Sequence, residues 1–290
     1  MKNKHVSAFR TFIAGKMIFA VAAAMLTVTG LTAVATALAE PVLEIAYDQQ
    51  VRRLTRAQLL AYSSLDTIDI PADVAYGRAM RYQAIPITAL LPRLSQAGTM
   101  QFTASDGFVA NIPAALLAGG KGNAQAWLAI ESSDGVWPPL KVGGASAGPF
   151  YLVWLTPGKS GISTEQWPYK IARIADAPPL EIRHPQLIPK APLPIDSAER
   201  RGLQVYMTNC AVCHQINGGG DAQIGPDLNK PFNPTEYFQE SFLRRFIREP
   251  ASVRTWPQRT MPGFSPSIIS DDSLNDLLRY LRQMAKERTH

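Results

Sequence analysis

Cysteine is almost absent from this 290-residue chain: Cys210 and Cys213 are the only two. That scarcity excludes a disulfide scaffold, which needs several pairs, and leaves no thiolate ligand anywhere before residue 210. Histidine is equally sparse, with His5, His184, His214 and His290. A zinc site needs roughly four nitrogen or sulfur ligands, and the three histidines outside the cysteine region supply no second ligand pair. Two glycine-rich stretches, Gly119-Gly120-Lys121-Gly122 and Gly143-Gly144-Ala145-Ser146, could cradle a phosphate, but neither lies between a strand and a helix, so both read as ordinary loops.

Excess charge is also smaller than it first looks. The formal net charge is +6. Lys2, Lys4, Arg10 and Lys16 precede the first acid, Glu40, so removing residues 1–39 lowers +6 by four to +2. Those residues form a basic start, an uncharged apolar stretch from Met17 to Ala39, and the cleavage-like Ala37-Leu38-Ala39. Together they predict a signal peptide and export to the periplasm. The same apolar stretch is long enough for the competing reading of a retained membrane anchor. A basic pI that rests on a leader gives no reason to expect nucleic-acid binding.

The remaining chain predicts two domains joined near 177–195, where Pro178, Pro179, Pro185, Pro189, Pro192 and Pro194 mark an extended, semi-rigid spacer. Residues 40–176 read as β-rich α+β. Leu43 to Tyr47 alternates as a strand, and Thr55 caps a short helix from Arg56 to Tyr62. Pro86 opens another helix before Ala89-Leu90-Leu91. Asp106-Gly107 predicts a hairpin between Gln101–Ala104 and Phe108–Asn111. Asp134-Gly135 predicts a second between Ala126–Ile130 and Val136–Leu140. Phe150–Leu155 and Tyr169–Ile174 add apolar strands. After the spacer the pattern turns helical. A capping-box-like Asp196-Ser197-Ala198-Glu199 starts one helix, Ser241–Arg248 forms a second that stops before Pro250, and Ser270 caps a third bearing Leu274, Leu277, Leu278 and Leu281.

The first of those helices runs into Cys210-Ala211-Val212-Cys213-His214. C-x-x-C-H is the spacing of covalent c-type haem attachment. Residues three and four apart share a helical face, so both thiols can form thioethers to one haem while His214 turns toward the iron. A C-x-x-C pair alone could be a redox disulfide, but that motif needs no following histidine and belongs in a βαβ unit.

Residues 196–290 resemble the class I cytochrome c family through an ordered set: Arg201-Gly202, Cys210 to His214, Gly225-Pro226-Asp227-Leu228, Met261-Pro262-Gly263-Phe264 and Tyr280-Leu281. The resemblance implies an all-α cytochrome c fold with one covalent haem c. It makes His214 and Met261 the axial ligands, and the Pro226 carbonyl the acceptor for the imidazole N–H. It also implies that Gly202 lets the first helix pass close to Tyr280. Thioether ligation raises haem potential and suits electron transfer. Met261 could instead be a core gap-filler, and His184 offers a remote bis-histidine alternative. Trp256 and Arg259 could reach a propionate or lie on the surface. Arg244, Arg245 and Arg248 form a cationic helix end, either solvated or able to steer an acidic partner.

Residues 42–176 more faintly resemble the molybdopterin-binding domain of the sulfite oxidase family, through Leu54 to Leu59, Ile85 to Leu91, Ala104 to Phe108 and Gly148 to Val153. That family binds molybdenum through a cysteine thiolate, and this segment has none, so molybdopterin is not expected. The resulting expectation is a periplasmic monohaem electron-transfer protein rather than an enzyme, its front domain docking a redox protein, dehydrogenase or oxidase. The membrane is involved only if the leader is retained. The alternatives are a self-contained oxidoreductase with a pterin or substrate in the front domain and haem as internal acceptor, and a gas-binding haem sensor with an open sixth site.

Overall fold

Strand order in the first half is set by where apolar alternation and turn residues fall. The computed structural model describes residues 40–94, 98–119, 123–255 and 261–288; the predicted leader, Gly120 to Gly122, Trp256 and Arg259 lie outside them. The strands are β1 (Val42–Tyr47), β2 (Gln50–Thr55), β3 (Asp66–Ile70), β4 (Met80–Pro86), β5 (Thr99–Ala104), β6 (Val109–Pro113), β7 (Gln125–Ile130), β8 (Phe150–Leu155) and β9 (Ile171–Ala177). They form a five-stranded sheet, β2-β1-β9-β5-β6, and a four-stranded sheet, β3-β4-β7-β8. Only the β1–β9 pairing is parallel among these ladders. Side chains from both sheets, including Ile45, Phe102 and Ile174 from one and Ile85, Leu128 and Leu152 from the other, meet in a single core. The β-rich α+β expectation is met, although the long-range β1–β9 pairing was not predicted.

Short helices punctuate the strands. Helix α1 (Arg56–Leu60) starts at Thr55, whose hydroxyl accepts from Gln58 N while the Gln58 side chain accepts from Thr55 N. Helix α2 (Ile87–Leu90) follows Pro86, and α3 (Ala114–Ala118) follows Pro113. The Asp106-Gly107 turn does join β5 to β6. The second predicted hairpin is corrected: Val136–Leu140 is not a strand, and β7 pairs with β8 instead. Pro138 and Pro139 have no N–H for a ladder, and Trp137 N donates to the Glu131 carboxylate at 2.9 Å. Strand β9 also begins later than predicted, at Ile171, after Lys170 adopts a left-handed φ of 53°.

The proline-rich stretch is folded rather than extended. It contains α4 (Leu180–Arg183) and a 3₁₀ turn at Pro185–Leu187, with Leu180 and Leu187 buried in the helical core. The helical half then runs α5 (Ala198–Asn209), α6 (Pro234–Tyr237), α7 (Glu240–Arg248), α8 (Pro250–Val253) and α9 (Asp271–Lys286). Ser197 caps α5 by accepting from Arg200 N; the third helical residue is thus Arg200, and the predicted capping box is absent. Ser270 caps α9 through Ser273 N. Among the described residues no helix is long and apolar enough to cross a membrane.

Helices α5 and α9 pack at the closest approach in this half. A Cβ on Gly202 would fall 2.1 Å from the Asp276 carbonyl oxygen and 2.7 Å from Tyr280 Cβ, so only glycine fits. The rings of Tyr206 and Tyr280, both fully buried, stack obliquely with centroids 5.6 Å apart. Residues Glu40–His290 make one compact unit, and polar groups tie its sheet and helical lobes together. Asp221 is the hub: its carboxylate accepts from Gln101 and Asn111 of the first sheet at 3.0 Å each. It also accepts from Arg183 at 2.5 and 2.9 Å and meets His184 Nε2 at 2.9 Å.

Two outcomes follow. Gly202→Ala should destabilise the protein by about 3 kcal/mol through backbone overlap, whereas Gly158→Ala, which meets nothing within 4 Å, should be nearly neutral; denaturant unfolding checks both. Burial alone would raise the Asp221 pKa, but hydrogen bonds from Arg183, His184 and Asn111 outweigh it and hold the carboxyl below its usual range. A depressed folded pKa contributes stability above the unfolded value of about 3.9, lost as pH falls through the folded one. Asp221→Asn should therefore cost about 2–3 kcal/mol at neutral pH, with the difference from the parent shrinking in acid.

Candidate functional site: the haem-attachment turn

The C-x-x-C-H run continues the last turn of α5. Cys210 N donates to Tyr206 O at 2.8 Å, and Cys213 N and His214 N both donate to Cys210 O, at 3.0 and 2.8 Å. This single turn places both sulfurs on one side. Both cysteines are half-buried. Burial, reinforced by the nearby Glu165 charge, pushes both thiols up to about 12. Thiolates are the metal-binding and redox-active form of cysteine, so this environment disfavours both uses. A thioether carries no charge and loses nothing by burial. Among the described residues no group of three or more His, Cys, Asp or Glu is gathered for a metal ion.

The loop after the motif clamps the imidazole. His214 Nδ1 lies 2.7 Å from the Pro226 carbonyl oxygen. A carbonyl only accepts, so Nδ1 carries the proton and Nε2 keeps its lone pair for a metal. Gly225 N donates to Cys213 O at 2.8 Å, and Leu228 N donates to Gln215 O at 2.7 Å. A Cβ on Gly225 would come within 2.4 Å of His214 Cε1. Glycine there is what allows ring and loop to touch. Burial lowers the His214 pKa despite the opposing Pro226 contact, which favours the neutral ring that a metal needs. Tyr206 completes the frame by donating its hydroxyl to His214 O at 2.9 Å.

Further along, Asp227 gathers its own loop by accepting from the backbone of Asn217, Gly218, Asn229 and Lys230. Buried Asn229 and Asn233 then bind the loop to α9 through the carbonyls of Met284 and Leu281 at 2.7 and 3.0 Å. Met261 is half-buried against the helical core. Its loop is fixed by Arg248, whose guanidinium donates to Phe264 O and Ile269 O at 2.9 and 2.5 Å and pairs with Asp271. A Cβ on Gly263 would approach Arg248 O to 2.4 Å. Phe264 is buried, and its N–H donates to Ile247 O.

These contacts revise the cationic-patch expectation. Arg248 holds the Met261 loop, and Arg244 pairs with Glu240 along its own helix. Arg245 stays exposed beside the Phe242 ring. His184 is engaged with Asp221, a contact that commits its Nε2 away from iron. Sequence reasoning missed the Tyr206 hydroxyl, Asp221 and Glu165, and read Arg248 only as part of a cationic helix end. None belongs to a motif, and each acts through distant partners.

The residues therefore fit a haem: two shielded thiols on one turn, an imidazole with a fixed tautomer, and a half-buried methionine in a pinned loop. Residues 199–285 match the family model described as Cytochrome c; the helical lobe is a cytochrome c domain, which implies covalently bound haem c and a role in electron transfer.

Proposed function

We propose that the protein is a periplasmic, monohaem c-type cytochrome that exchanges single electrons with a redox partner, which the sheet lobe docks. The observation that carries this reading is the clamped imidazole, with Nδ1 spent on Pro226 and Nε2 available. Cys210 and Cys213 would hold the haem by thioethers, and two cysteines suffice for one haem only. His214 and Met261 would be its axial ligands. Bound haem supplies the Fe(III)/Fe(II) couple. The chain's own part is to fix the ring orientation through Pro226 and Tyr206, to pin the methionine loop through Arg248, and to keep water from the cysteine side.

For the sheet lobe we favour docking over catalysis. Its likeness to a molybdopterin-binding domain lacks the cysteine that such a domain gives to the metal, and its one core is filled by aliphatic and aromatic side chains. The partner would be a periplasmic redox protein, dehydrogenase or oxidase.

Protein matured with haem should carry one iron per chain and one covalent haem by intact mass, without molybdenum. Stoichiometric molybdenum would instead establish the self-contained oxidoreductase. Met261→Ala should abolish the methionine–iron charge-transfer band and lower the midpoint potential. An unchanged spectrum would remove Met261 as a ligand.

A further inference from the structure

The 3₁₀ turn Thr164–Gln166 brings a carboxylate from the sheet lobe to the haem-attachment turn. It is fixed from several sides. Ser163 Oγ donates to Asn209 Oδ1 at 2.5 Å, which fastens the turn to the residue just before Cys210. Ser163 N donates to the Gln166 side chain at 2.9 Å, and Trp154 Nε1 donates to Gln166 O at 2.8 Å. Glu165 between them is half-buried and close enough to both cysteines for its charge to raise the pKa of each.

Its surroundings are almost without compensation. Among the described residues the one hydrogen bond to the Glu165 carboxylate comes from Thr164 Oγ1, at a long 3.4 Å. The titratable groups that face it are Cys210 and Cys213 from the motif and Tyr169 ahead of β9. Beyond Tyr169 lies Asp106, paired with Lys170 at 3.7 Å. From α5, Asn209, which accepts from Ser163 in the same turn, is neutral. Among the described residues no cation pairs with Glu165. Haem attachment converts both thiols to uncharged thioethers, which leaves the Glu165 carboxylate, the Tyr169 phenol and the Lys170-paired Asp106 as the ionisable groups of this corner.

We propose that Glu165 is a redox-linked proton site: it takes one proton from solvent when the haem iron gains one electron from the redox partner, and returns it on oxidation. The balance is Fe(III) plus carboxylate plus electron plus proton giving Fe(II) plus carboxylic acid. Charge arithmetic drives it. An unpaired carboxylate in a low-dielectric seam is stabilised by the extra positive charge of the ferric state and disfavoured when that charge is lost. Burial already raises the Glu165 pKa to about 7, which puts the transition near neutrality.

The inference rests on the cytochrome reading, and the test separates the two. Spectroelectrochemical titration of the full-length haem-loaded protein should show a midpoint potential that falls as pH rises through neutrality. Glu165→Gln should remove that dependence and hold the potential at the acid-side value of the parent, while Glu165→Asp should restore a pH-dependent potential. A pH-independent midpoint in the parent, or a slope that survives in E165Q, would overturn the proposal while leaving the electron carrier intact. If E165Q perturbs the haem spectrum, the reduced-minus-oxidised infrared difference spectrum of the parent decides. A protonated-carboxyl band should appear on reduction and shift in E165D, and its absence would overturn the assignment. A chain without covalent haem would sink both readings.

Discussion

Val212, one of the two spacer residues inside the C-x-x-C-H run, is buried in the core of the sheet lobe, and much of the structure depends on that placement. Its carbonyl accepts the Val109 N–H at 3.2 Å, so the motif is bonded to β6 through the backbone as well as packed by its side chain. The flanking cysteines then straddle the seam between lobes. Cys213 packs on the sheet core and Cys210 on the helical core. The haem-attachment turn is thus structural property of both lobes at once, and neither core is closed without it.

Other features follow from that constraint. A motif shared between two cores needs the lobes held in register, and Asp221, Ser163 and the folded proline-rich segment do this on different sides of the turn. Tyr280 adds a further tie, donating its hydroxyl to Leu187 O at 2.8 Å. The buried Tyr206 and Tyr280 rings and the glycine crossing at Gly202 pack α5 against α9 behind the motif. The methionine loop is braced separately by Arg248, and its Pro262 and Gly263 remain exposed. One face of the cytochrome domain is therefore closed by the sheet lobe.

Most of this frame could be read from the sequence where a local rule governs it. Thr55, Ser197 and Ser270 cap helices because their hydroxyls reach the N–H groups of the first turn. The apolar stripe of α9 and the Asp106-Gly107 turn were equally local. The haem motif was legible because attachment chemistry fixes its spacing. What escaped was long-range. The β1–β9 pairing joins residues more than a hundred positions apart, and Val136–Leu140 mimicked a strand until its two prolines and the Glu131 contact decided otherwise. Prolines in 177–195 suggested reach, yet Leu180 and Leu187 gain more from burial than the segment gains from extension. Arg248 looked like surface charge because nothing near it in sequence announces the carbonyls it serves.

Closing the cysteine side has an electrostatic consequence that a free-standing cytochrome domain would not share. Removing water from around the sulfurs lowers the local dielectric, so any charge left in the seam would act on a bound haem with little screening. The cysteines themselves escape this cost by becoming neutral thioethers. Asp221 escapes it by sharing its charge among Arg183, His184 and two amides. Among the described residues Glu165 has no such cationic partner, and this is what would let its ionisation follow the charge of a bound haem. Through solvent exclusion and charge the sheet lobe would thereby act on a bound haem even without contributing a ligand to it.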